Sequence, residues 1–108
     1  MPRSLMSYKC KGKRDVLRLL SYMIVYAPDF RDDAAMTLDI AFSDLEDGFQ
    51  LLEQGDGRPA LIEALVHMRE LARESRALFD LGEINPACHK LQALEEVLKP
   101  VRVKGAVA

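Results

Sequence analysis

Between Ala35 and Leu52 the apolar residues Ala35, Leu38, Phe42, Leu45, Phe49 and Leu52 recur at alternating spacings of three and four. Only an α-helix gathers such a set onto one face, so this stretch is a packing seam that other helices must cover. A second row on the same helix, Ala34, Ala41, Gly48 and Gly55, repeats every seven residues and holds nothing larger than a methyl group. Small residues there let a neighbouring backbone come close. Gly48 lies in mid-helix, where glycine costs roughly 1 kcal/mol relative to alanine, and close packing along the small-residue row offsets that loss.

The rest of the chain supplies the covering helices. From Arg14 to about Ala27, Val16, Leu17, Leu20, Met23, Ile24 and Ala27 form a wide apolar stripe, with Tyr22 and Tyr26 one turn apart beside it. Pro28 ends this helix by biasing Ala27 away from helical geometry. Asp29 or Asp32 is then placed to cap the next helix, and Asp29, Asp32 and Asp33 together complement its dipole. The second helix stops at Gly55. Pro59 falls in the first turn of the third, where a missing amide does little harm. Leu61, Ala64, Leu65, Met68, Leu71, Ala72, Leu78 and Phe79 line the third helix, and Gly82 closes it. Asn85 and Pro86 read as cap and first residue of a fourth, which buries Ala87, Leu91, Leu94 and Leu98, with Cys88 and Val97 at the flanks, and ends before Pro100. No run reads as a strand. Four helices on links of a few residues predict an all-α protein, an antiparallel four-helix bundle over residues 14–99. A mobile basic arm over residues 1–13 precedes it, and a short tail over residues 100–108 follows.

With 108 residues the chain forms one domain, small enough that a dimer interface would add much of its stability. Its hydrophobic and charged fractions, 49% and 30%, are those of ordinary soluble proteins. No apolar run approaches the roughly 18 residues a membrane span requires, and the basic leader lacks the apolar stretch of a secretory signal. Cytoplasmic residence without membrane contact is therefore expected, with Cys10 and Cys88 as reduced thiols. The net charge of −2 conceals a strong asymmetry. Met1 to Arg18 carries Arg3, Lys9, Lys11, Lys13, Arg14 and Arg18 against Asp15, whereas Pro28 to Gly57 carries nine acids against Arg31. Such segregation lets the leader lie against the acidic outer face of the second helix.

The most suggestive polar set is Glu63, His67, Glu70 and Glu74, aligned on one side of the third helix. Di-iron bundles use a glutamate with a histidine three residues later on each of two helices, and here that order is reversed and unrepeated. Cys88 and His89 are adjacent and point about 100 degrees apart, which ill suits one ion. The row reads as solvated surface, and neither metal nor cofactor is expected. In size and class the chain is similar to histidine-phosphotransfer modules, with His67 as the residue to examine. Their histidine is followed closely by lysine and then glycine; here Met68, Arg69, Glu70 and Leu71 follow, and Glu70 would oppose a phosphoryl group. Ser43 and Ser75 lie in mid-helix with no aligned histidine and acid, Cys88 is partly buried, and no glycine-rich loop follows a strand. A non-enzyme is expected.

These readings converge on a small helical protein–protein interaction module of the adaptor, chaperone or regulator kind, forming a homodimer. Leu38, Ala41, Leu45, Gly48 and Leu52 are the candidate partner or dimer contacts, set beside the alternative that the same seam is the bundle's own core. The second functional reading is nucleic-acid association through Lys9, Lys11, Lys13, Arg14 and Arg18, opposed by the negative field of the second helix. A phosphotransfer-like or metal-binding bundle is the third.

Overall fold

Turn and cap chemistry decides where each helix of this chain begins and ends. The structure, a computed structural model, describes residues 12–30, 35–55 and 58–102. It holds four helices, α1 (Lys13–Tyr26), α2 (Leu38–Gly55), α3 (Pro59–Asp80) and α4 (Ile84–Leu98), and no strand among the described residues. Ala27 is extended, as the residue before Pro28 must be, while its amide still closes onto Met23 O at 2.9 Å. Phe30 then takes a left-handed conformation with φ 46°, unusual for a side chain of this size. Its ring is 2% exposed and stacks on Tyr22 at 5.5 Å, and that burial compensates the backbone strain.

Two boundaries differ by more than a residue from those expected, and α1 starts one residue early, at Lys13, the last residue of the expected arm. Helix α2 starts at Leu38, because Thr37 Oγ1 accepts the Ile40 amide at 3.2 Å and so caps the helix in place of Asp29 or Asp32. Asp29 is exposed in the turn after α1, and Ala35 is exposed and outside the helix. Asp32, Asp33 and Ala34 lie outside the described residues. Helix α4 starts at Ile84, which puts Asn85 and Pro86 inside its first turn. The ring is tolerated there because the first four amides of a helix have no intrahelical acceptor. Gly82, at φ 79°, closes α3 as expected, and the amides of Gly82 and Glu83 turn back to Phe79 O and Leu78 O.

Each helix packs against two others. Helix α1 lies on α2 and α4, and α3 lies on α2 and α4, with α3 and α4 the most intimate pair. Leu19, Leu20 and Met23 of α1, Leu61, Leu65 and Met68 of α3, and Leu91, Leu94 and Leu98 of α4 meet at the centre with almost no exposure. The α2 seam turns toward them. Ala41, Leu45 and Phe49 are fully buried, Leu52 is 3% exposed, Gly48 is buried, and Leu38 and Phe42 pack against the margin. Of the candidate partner contacts, Ala41, Leu45, Gly48 and Leu52 are buried within the chain, while Leu38 is partly buried at the core's margin.

Polar contacts tie the helices at definite levels. Lys13 Nζ donates to Lys99 O at 2.7 Å and Val101 O at 2.6 Å, Ser21 Oγ to Glu95 Oε2 at 3.2 Å, and Cys88 Sγ to Ile24 O at 3.8 Å. Buried Ser75 donates to Ala87 O at 2.9 Å. Arg69 bridges Glu46 and Glu53 at 3.0 and 2.9 Å, and Arg76 pairs with Asp39 and Asp80. Asp39, Glu46 and Glu53 of α2 are therefore met by arginines of α3, and the basic leader expected to cover the acidic face lies outside the described residues up to Lys11.

Candidate interaction groove

On α1, Arg14, Arg18, Tyr22 and Tyr26 follow one another at intervals of four, so they form a ladder with rungs ~6 Å apart along the helix axis. Because α1 and α4 are neighbours, this ladder becomes one wall of an open groove of about 630 Å³ whose other wall carries Glu95 and Lys99. Leu17 and Ser21 also line it. The walls are held in place at one end by Lys13, whose ammonium caps the C-terminal carbonyls of α4, and in the middle by the Ser21–Glu95 hydrogen bond. Glu95 also lies 3.7 Å from Lys99 Nζ, so its carboxylate is engaged on both sides.

The two ends of the ladder differ in chemistry. Arg14 and Arg18 are exposed, and neither has a carboxylate within ion-pair distance among the described residues. Tyr22 is only 7% exposed, its ring set between Phe30 at 5.5 Å and Tyr26 at 5.1 Å. Tyr26 is therefore the aromatic face that the groove presents, at 43% exposure, with Val25 at 69% beside it. The site offers charge, apolar surface and one hydroxyl–carboxylate pair, Ser21 with Glu95.

The chain was compared with protein-family models, with curated proteins and with solved structures. It matches none of them. Its function must be read from its own residues.

Of the cations singled out in the sequence, Arg14 and Arg18 enter the groove, Lys13 is spent on α4, and Lys9 and Lys11 lie outside the described residues. Glu63, His67, Glu70 and Glu74 are all exposed on α3, where Glu74 pairs with Lys90 at 3.0 Å, and the described residues hold no group of three or more potential metal ligands. Burial pushes the Cys88 thiol above its ordinary range, as expected for its half-buried position, and Cys10 lies outside the described residues. No helix among the described residues is long and apolar enough to cross a membrane.

A second, smaller groove of about 250 Å³ runs between α2 and α3 past Phe42, Glu46, Arg69, Ala72, Arg73 and Arg76. Arg76 lies over the Phe42 ring at 5.8 Å, and its pairing with Asp39 holds its guanidinium above the ordinary range against the cost of burial. Burial works against the charge on Arg69 too, but Glu53 and Glu46 together outweigh it. Arg69 and Arg76 are thus already answered within the chain, whereas Arg73, like Arg14 and Arg18, has no carboxylate within ion-pair distance among the described residues. Sequence reasoning found the tyrosine pair but missed Ser21, Glu95 and Lys99 as its companions, because they reach the groove only through the α1–α4 packing.

Proposed function

We propose that this chain is a non-catalytic helical interaction module, built as an antiparallel up-and-down four-helix bundle, which holds an acidic segment of a partner protein in the α1–α4 groove. The bundle topology is supported by the order of the cross-links. Lys13, Ser21 and Ile24 of α1 meet Lys99, Glu95 and Cys88 of α4 in descending sequence, and Arg69 and Arg76 of α3 meet Glu46 and Asp39 of α2 in the same reversed way. The observation that carries the functional reading is a pair of arginines, without carboxylate partners among the described residues, on a wall whose aromatic end is packed into place. Pre-positioned charge beside apolar surface is the composition of a protein-binding patch, in which arginine and tyrosine anchors dominate.

Nucleic acid fits the same geometry less well. Two of the three Lys13 N–H donors are committed to carbonyls at the end of α4, and Tyr22 is enclosed between Phe30 and Tyr26, leaving Tyr26 as the one groove ring able to stack on a base. The expected homodimer rested on the small size of the chain and on the α2 seam, and with Ala41, Leu45, Gly48 and Leu52 buried within the chain we propose a heterologous partner instead. The test is a titration of labelled glutamate-rich amphipathic peptide and, separately, labelled single-stranded DNA into the intact chain. Peptide binding lost in an Arg14→Glu/Arg18→Glu variant supports the reading, and binding of the oligonucleotide alone refutes it.

A further inference from the structure

The groove wall is chemically ordered along its length, and that order constrains what lies in it. Its cationic half, Arg14 and Arg18 opposite a Lys99 already paired with Glu95 and Glu96, is followed by its aromatic half, Tyr22 and Tyr26. From Arg14 to Tyr26 the ladder covers twelve residue steps of α1, or ~18 Å. Resting on the reading of this groove as a protein-binding surface, we infer that its occupant is an α-helix bearing two carboxylates one turn apart and, on the same face about two turns away, a single apolar or aromatic anchor.

A helix is favoured over an extended strand by backbone accounting. Both walls are helices whose own amides and carbonyls are internally bonded, so they offer an extended segment no ladder partners, whereas a helix satisfies its backbone by itself. Rungs ~6 Å apart match the spacing of residues four apart on a helix lying along the groove. Charge selects the occupant further. The segments that continue from the two walls, residues 1–12 and 103–108, carry Arg3, Lys9, Lys11 and Lys104 and no acid at all. They are repelled by Arg14 and Arg18, and they add to the attraction felt by an acidic partner.

The experiment uses the full chain and two labelled helical peptides of one composition and about 15 residues, measured by fluorescence anisotropy. One places the glutamate pair and a phenylalanine on a single face; the other moves the phenylalanine to the opposite face. The first is expected to bind about tenfold more tightly than the second. Coupling should also be local. Removing the glutamates and mutating Arg14→Gln/Arg18→Gln should be non-additive, as should removing the phenylalanine and mutating Tyr26→Ser, whereas the crossed combinations should add. Circular dichroism of each exposed-site variant checks that the helices are intact. Equal binding of the two peptides overturns this inference and leaves the acidic-partner reading standing, while no binding of either overturns both. Self-association of the chain abolished by Arg14→Glu/Arg18→Glu identifies a second copy as the occupant and likewise overturns it.

Discussion

Leu45→Ala tests whether the α2 seam is the interior of one chain. Leu45 is fully buried in the core shared with the other helices. Truncation removes three carbon groups at about 0.8 kcal/mol each, or ~2.4 kcal/mol of burial, and the cavity left behind raises the loss to ~3–4 kcal/mol. Domains of this kind are stable by about 5–15 kcal/mol, so the variant still folds but melts ~13–18 °C lower. Urea unfolding followed by circular dichroism, at two protein concentrations about a hundredfold apart, gives the decisive readout. With an intrachain seam the midpoint falls by ~1–2 M and is the same at both concentrations. If the seam joined two subunits, each tenfold dilution would remove about 1.4 kcal/mol of apparent stability, or roughly 2.7 kcal/mol over the range. A concentration-dependent midpoint, or an unchanged one, refutes the assignment.

Four further outcomes are expected. Ser75→Ala removes the only side-chain hydrogen bond seen between the buried Ser75 hydroxyl and Ala87 O, and thermal melts should show a loss of about 1 kcal/mol. Lys13→Met uncaps the end of α4, which should cost ~1–2 kcal/mol and speed amide exchange at Lys99 and Val101 while leaving the α3–α4 turn protected. In a Cys10→Ser background, Cys88 should alkylate several-fold more slowly in the folded chain than in urea, because burial raises its pKa and thins the thiolate. The same shift makes its contribution to stability complete below the usual thiol range, about 8.5, and lost as pH rises through the higher folded value. Arg76→Ala removes the contact over Phe42 and the pairs with Asp39 and Asp80, and should cost ~0.5–1 kcal/mol in low salt and less in high salt.

What could be read from the sequence follows the range of the interactions involved. The stripe of Val16, Leu20 and Met23, the glycine stop at Gly82 and the proline at the head of α3 are local in origin, and all appear where the residues imply. Cap choice was less legible. Three aspartates and one threonine precede α2, any of them chemically able to accept an amide, and it is Thr37, next to Leu38, that takes the Ile40 amide. The small-residue row looked like an interface because periodicity reports that a face is covered without reporting by what. The contacts of Lys13 were out of reach for a related reason: its acceptors are carbonyls more than 80 residues further along the chain, which no local pattern announces. The groove was half legible: the tyrosine pair from spacing, its opposite wall only from the fold.

Lys13 has one more consequence. By fastening the head of α1 to the tail of α4, it makes the spatial order of the helices cyclic although their order in the chain is linear. A cycle has no privileged starting point. A circularly permuted chain opened at the Gly82–Glu83 turn, with Arg102 joined to Gly12 through a short glycine-rich bridge, keeps every helix beside its present neighbours. In that rearranged chain α4 and α1 become consecutive, and the two walls of the groove turn into the arms of a single hairpin.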